Sequence, residues 1–305
     1  MMTVVCLNPC LDKTIHVNGF TPGGTNRAVS ETLVAGGKGV NVAMTIAKLG
    51  VKVRLVIFGY QEGSELLNRT VEELGIECVS VPVPGALRTN IKVMDDTTGI
   101  ITEINAKGVK VDEDAVQRME DAIVDCAMDS SWVALTGSMP PGCGADCYAN
   151  LIRRIHSEAP SCLVALDADG EAFRLGVKEN PDFIKPNRVE LSTFVGEKLD
   201  TDEKLQAAAR KLVEDGLGCV IVSMDSEGSM LFSEGLELTA KAVKVPVVTT
   251  VGAGDNLVSG YLSGREAGLS HAEAFRRGVA TATARVAGED GQYDKYIDQV
   301  TVTAK

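Results

Sequence analysis

Late in the chain, Thr249-Thr250-Val251-Gly252-Ala253-Gly254-Asp255 runs straight into an apolar helical pattern at Leu257, Val258, Tyr261 and Leu262. Gly252 and Gly254 leave room for a ligand beside the backbone, and the first free amides of the following helix favour negative charge. With Asp255 next to it, such an anion hole suits phosphoryl transfer. The carboxylate receives the proton of an attacking hydroxyl, while the amides from Gly252 through Ala253 and Gly254 to Asp255 stabilise the phosphoryl oxygens. The same acid also fits a plainer role, complementing the dipole of a helix start, and the motif alone does not choose between them.

A second combination lies at Ala35-Gly36-Gly37-Lys38-Gly39-Val40-Asn41-Val42-Ala43, where glycines, a cation and an amide side chain open another apolar helix. It reads as a ligand site or as a glycine-rich connection with a solvated lysine. Asp12, just beyond Asn8-Pro9, has the acceptors to hold sugar hydroxyls; in isolation it is equally a turn residue or cap. Several other chemistries fail on spacing. Leu257 stands where the third glycine of a G-x-G-x-x-G dinucleotide fingerprint belongs. Gly36-Gly37-Lys38-Gly39 lacks the upstream glycine and the following Ser or Thr of a P-loop, and the protein-kinase motif set is absent. His16, His156 and His271 are too dispersed for a histidine-centred mechanism. Cys143 and Cys147 have helical spacing but no histidine partners for a metal site.

Positioning such residues takes a scaffold, and the hydrophobic pattern supplies one. Thr3 to Leu7, Val53 to Phe58, Trp132 to Leu135, Leu163 to Leu166 and Cys219 to Val222 read as short strands. Val40 to Leu49, Glu65 to Leu74, Glu113 to Cys126, Asp146 to Ile155 and Asp202 to Leu212 read as intervening helices. The rhythm predicts an α/β fold with a doubly wound, mostly parallel sheet. Residues 11–34 and 88–104 break it: they look like strands without crossover helices, able to pair as a small β-sheet lid over a cleft. The expected division is a body of residues 1–10, 35–87 and 105–305, with 11–34 and 88–104 forming the lid.

Composition limits the partners. The 305 residues are 45% hydrophobic, enough for a sizeable core, and a formal net charge of −12 argues against nucleic acid or an anionic membrane surface. An anionic ligand must therefore meet locally placed cations. The first nine residues carry no basic region followed by a long apolar run, and the eight cysteines contain no Cys-x-x-Cys pair. A soluble, cytoplasmic protein with reduced thiols is expected.

Seven motifs occur in the order of one family: Leu7-Asn8-Pro9, Asp12, Gly36-Gly37-Lys38-Gly39-x-Asn41-Val42-Ala43, Arg88-Thr89-Asn90, Thr136-Gly137-Ser138-Met139-Pro140-Pro141-Gly142, Lys185-Pro186-Asn187-x-x-Glu190 and Gly252-Ala253-Gly254-Asp255. From about Val4 to Ala287 the chain resembles the ribokinase-like, phosphofructokinase B family, nearest its 1-phosphofructokinase and tagatose-6-phosphate kinase branch. The resemblance implies a ribokinase-like body with a β-sheet lid, ATP beside the late glycine turn, and Asp255 as base. It implies that Asp12, Gly37 and Asn41 hold sugar hydroxyls, and that Lys38 and Arg88 bind the phosphate already on the substrate. Lys185, Asn187, Ser223, Gly228, Gly252 and Gly254 would face ATP, with Asn187 and Glu190 holding Mg²⁺ through water. The implied reaction converts fructose 1-phosphate to fructose 1,6-bisphosphate, with tagatose 6-phosphate or fructose 6-phosphate as alternative substrates. A catalytically silent sugar-phosphate sensor is the competing class, and a homodimer through the lid is the implied assembly. The chain departs from the family pattern at Asp225, where glycine is common, at Thr249, where many members carry aspartate, at Asn256 and at Cys10.

Overall fold

Runs such as Val4-Val5 and Leu55-Val56 are solvent-inaccessible on both faces, as strands covered by helices from both sides must be. The computed structural model describes residues 1–304. Its first part comprises β1 (Met2–Cys6), β2 (Cys10–Val17), β3 (Ala28–Gly36), α1 (Lys38–Lys48), β4 (Val53–Glu62), α2 (Glu65–Glu73) and β5 (Glu77–Ala86). There follow β6 (Arg88–Asp95), β7 (Ile101–Ile104), α3 (Glu113–Ala127), β8 (Trp132–Thr136), α4 (Cys147–Glu158), β9 (Leu163–Asp167) and α5 (Gly170–Val177). Then come β10 (Phe183–Ile184), α6 (Arg188–Val195), α7 (Asp202–Glu214), β11 (Cys219–Ser223), β12 (Ser229–Ser233) and β13 (Leu236–Ala240). The chain closes with α8 (Ala253–Glu266), α9 (His271–Val286), α10 (Asp294–Ile297) and β14 (Val302–Ala304).

Ten strands form the main sheet in the order β14-β13-β12-β11-β10-β9-β8-β1-β4-β5. From β11 to β5 the pairing is parallel, and the far edge from β12 to β14 is antiparallel. Helices cover both faces, so the fold is the expected doubly wound α/β arrangement. β4 and β8 flank β1, making β1 the place where the winding changes direction, and in open α/β sheets ligands gather beyond the strand ends at such a point.

The other four strands make a separate sheet in the order β3-β2-β6-β7. β2 begins at Cys10 and β3 continues to Gly36, slightly beyond the stretch marked by the sequence. Its register sets Asp12 abreast of Val34 and Asn90, and Cys10 abreast of Gly36 and Arg88. The chain passes between the two sheets four times: Leu7 to Pro9, Gly36 to Lys38, Ala86 to Arg88, and residues 105–112. Gly37, Lys38 and Arg88, three of the residues expected to bind the sugar phosphate, lie on these crossings.

Gly39 explains how α1 reaches the seam. A Cβ there would stand 2.5 Å from Cys6 Cβ, 2.6 Å from Thr136 Oγ1 and 2.8 Å from the Val5 carbonyl, so the first turn of the helix lies directly on β1 and β8. Among the described residues, no helix is long and apolar enough to cross a membrane.

Candidate active site

Gly252 caps α8 with φ at +79°, a left-handed conformation in which a side chain is strained, and the chain turns from there into the helix. Asp255 follows in the first turn and is buried. Asn41, one turn into α1, donates 3.1 Å from Nδ2 to Asp255 Oδ2. Burial, reinforced by the nearby Asp167 carboxylate, pushes the Asp255 carboxyl up to about 6, against the pull of Lys38, the Asn41 hydrogen bond and Lys185. An acid so poised is ionised at neutral pH yet remains a competent proton acceptor.

Lys38 and Lys185 supply positive charge at this point. Lys38 Nζ donates to Asp167 Oδ1 at 3.3 Å, and Lys185 Nζ stands 3.9 Å from the same oxygen. Burial by itself would lower the Lys38 ammonium, but Asp167, Asp255, Glu190 and Asp169 together hold it well above its ordinary value. A Cβ on Gly254 would lie 3.2 Å from Lys185 Nζ, which puts that ammonium beside the glycine turn. The sequence reading grouped Lys38 with Arg88, whereas the structure pairs it with Asp167 beside Asp255. The start of α1 rests against Gly137, whose amide bonds to the Asp167 carbonyl at 2.9 Å, so the end of β9 faces Lys38.

Arg88 belongs to the seam. Its Nη2 donates to the Asn8 carbonyl at 2.7 Å and its Nη1 to the Ala106 carbonyl at 2.7 Å; Nε reaches the Asn8 and Pro9 carbonyls, and Nη1 also meets Asn90 Oδ1 at 3.4 Å. Most of its five N–H donors thus tie crossings together. Buried Asn90 extends the network, donating 3.1 Å to Asp12 Oδ1 and 3.2 Å to Cys10 Sγ while accepting from the Ala106 amide. A Cβ on Gly36 would fall 2.4 Å from Asp12 Oδ2, so Asp12 lies against the glycine segment containing Gly37.

Across the sheet, Asn187 caps α6 in a reciprocal box: its Oδ1 accepts from the Glu190 amide, and its own amide donates to Glu190 Oε2, both at 2.8 Å. Asn187 bridges to Ser223 at the end of β11. Gly228 closes the turn after Ser223. Asp225 takes φ of +49°, which accounts for glycine being common there and shows that the short acid tolerates it. Thr249 Oγ1 accepts from the Val251 amide at 3.2 Å, and Asn256 Nδ2 donates to the Gly252 carbonyl at 2.9 Å, so both departures brace the turn.

The residues fit a hydrated divalent cation. The box engages one Glu190 oxygen, and the buried Asp167 Oδ2 has no hydrogen-bond partner among the described residues, leaving carboxylate oxygen for a hard ion or its water. No cluster of three His, Cys, Asp or Glu side chains able to cage a metal occurs among the described residues.

Asp167 and Asn90 enlarge the set read from the sequence. Asp167 ends a buried parallel strand, the position where such sheets present ligand-binding side chains, and that was its available signal. Asn90 was visible within the Arg88-Thr89-Asn90 motif, but its partners depend on strand register.

A family model described as pfkB family carbohydrate kinase matches residues 6–296. The chain is 36% identical over 284 residues to 1-phosphofructokinase of Rhodobacter capsulatus, covering 92% of this chain and 88% of the relative. It is 32% identical over 306 residues to 1-phosphofructokinase of Bacillus subtilis, covering 100% and 99%. The structure of Escherichia coli phosphofructokinase-2 in complex with fructose-6-phosphate superposes with a TM-score of 0.90 at 24% identity, covering 98% of each chain, a likeness of fold. The family match takes in the small sheet, most of the main sheet, all four crossings and the glycine turn with its buried acid, and on that ground the chain belongs to the pfkB family of carbohydrate kinases.

Proposed function

We propose that the protein transfers the γ-phosphoryl group of ATP to fructose 1-phosphate, forming fructose 1,6-bisphosphate. The observation that carries the reading is Asp255, a buried carboxyl raised to about 6 at the start of α8, between the Asn41 amide and the Lys38–Asp167–Lys185 group. Asp255 takes the proton of the sugar hydroxyl as its oxygen attacks the γ-phosphorus and the bond to the bridging oxygen breaks to release ADP, and the Gly252, Gly254 and Asp255 amides receive the charge of the transferring group. Asp12, Gly37 and Asn41 orient the sugar, and Arg88 faces its existing phosphate. Lys38, set beside Asp255, steadies the transferring group. ATP lies along Lys185, Asn187, Ser223, Gly228, Gly252 and Gly254. Asn187 and Glu190 would hold Mg²⁺ through water, and the ion would supply neutralisation of phosphate charge.

Residues 11–34 and 88–104 act as a lid on a body of 1–10, 35–87 and 105–305. A homodimer through that sheet is favoured by its uncovered apolar side chains, among them Leu33 and Ile104. The eight free thiols agree with a cytoplasmic setting.

Sugar bisphosphate formed in equal amount to the ATP consumed separates a kinase from a silent sensor. Comparing kcat/KM for fructose 1-phosphate, fructose 6-phosphate and tagatose 6-phosphate with Mg-ATP then tests the substrate. Fructose 1-phosphate should lead. A clear preference for another sugar overturns the substrate but leaves the kinase mechanism standing.

A further inference from the structure

The segment entering the glycine turn is held by the end of α9. Val248 and Thr249 amides donate to the Val286 carbonyl at 2.8 and 3.3 Å, and Arg285 Nε donates 2.9 Å to the Val251 carbonyl. A Cβ on Gly252 would stand 3.5 Å from that same Nε. Arg285 Nη1 donates to Asp290 Oδ2 at 2.7 Å, so the guanidinium is anchored on one side and spends its other edge on the turn.

The Val251 carbonyl and the Gly252 N–H belong to one planar trans peptide and point in opposite directions, so fixing the oxygen aims the hydrogen. The next amide, Ala253 N–H, is already engaged by the Thr250 carbonyl at 3.3 Å, whereas the Gly252 N–H has no protein acceptor among the described residues. A cation on the carbonyl also draws electron density from the nitrogen and strengthens the donor. We propose that Arg285 is a positioning residue for phosphoryl transfer, pinning and polarising the Val251–Gly252 peptide so that the Gly252 N–H meets the transferring group. This rests on the kinase reading above and adds to it a residue that touches neither substrate.

The test compares the parent with Arg285→Met and Arg285→Lys, using the ketohexose phosphate that the parent turns over, and records thermal melts alongside. Deleting an anion-hole donor outright costs about a hundredfold or more, so losing the group that aims one should lower kcat about tenfold while KM for the sugar stays within about twofold. Lysine, a point charge without the planar fork, should restore part of kcat. In Arg285→Ala, millimolar methylguanidinium should raise kcat without changing the melting temperature. The proposal is overturned if Arg285→Met keeps kcat within about twofold of the parent, or if its loss tracks the melting temperature and neither lysine nor methylguanidinium recovers it. Should Arg285→Met fail to fold, Asp290→Asn frees the guanidinium from its anchor and should lower kcat about threefold; an unchanged kcat there overturns the proposal. A parent without ATP-dependent turnover sinks the kinase reading and this inference together, while an active parent with indifferent variants sinks only the latter.

Discussion

Asp255 is placed where a carboxylate is uncomfortable, and that discomfort is measurable. Its folded pKa of about 6 lies above the ordinary 3.8, so the stability it lends is fully present below about pH 4 and is lost as the pH rises through 6. At pH 8 the ionised form therefore weakens the fold by on the order of 3 kcal/mol, because each tenfold change in proton affinity is worth about 1.4 kcal/mol. Asp255→Asn should lower kcat by about a hundredfold to ten-thousandfold and melt at a higher temperature than the parent at pH 8. Turnover near the parent's, in a correctly folded variant, would remove Asp255 from the base role. In the parent, kcat/KM should fall on the acid side with an apparent pKa near 6. Lys38 is among the groups that hold the carboxyl down, so Lys38→Met should move that limb to higher pH as well as lower kcat. If the limb stays and only KM for the sugar phosphate rises, Lys38 serves the substrate's existing phosphate instead.

At the scale of elements, α1 and α8 work as a pair. Asn41 reaches Asp255, Thr45 Oγ1 stands 3.5 Å from Asn256 Oδ1, and Ser259 Oγ donates to the Val42 carbonyl at 3.3 Å, so three contacts fix one helix against the other. The pair keeps its height above the sheet because Gly39 has no side chain. Gly39→Ala would press a methyl against Cys6 Cβ, Thr136 Oγ1 and the Val5 carbonyl, and should cost about 1–3 kcal/mol. A denaturant midpoint equal to the parent's would show that the contact is slacker than the geometry indicates.

The whole molecule is a large sheet with a small one attached through four crossings, and the small sheet has two different faces. Asp12 and Asn90 share a row on one face; the neighbouring row, on the opposite face, runs Leu33, Lys13, Ile91, Ile104. Leu33 and Ile104 are about half exposed, at 46% and 58%, which suits packing against a second copy. Light scattering should therefore give a dimer for the parent and a monomer for the Leu33→Lys, Ile104→Lys double variant. A parent that is monomeric at assay concentrations would end the dimer proposal.

How much of this was legible beforehand differs by region. The alternation of short apolar runs with helical periods set out the parallel half of the main sheet, because those strands are buried on both faces and must be apolar throughout. The glycine turns were legible because a left-handed cap or a close approach leaves few alternatives to glycine. β10, two residues long, is too short to carry a period, and the antiparallel edge from β12 to β14 lies outside the βαβ rhythm. Charges are legible by type but not by company: Lys38 follows a glycine turn in sequence, but its partner Asp167 is 129 residues away and meets it only when β9 comes to lie two strands from β1. The pairing of Asn90 with Asp12 likewise needed the β2–β6 register. Sequence determined the glycine turns, the doubly buried parallel strands and the chemical inventory, since these follow from local sterics, hydrophobic pattern and residue type. The tertiary structure alone decided which charges share a site and how far Asp255 is raised, because desolvation and Coulomb interactions depend on distances that the packed sheet creates.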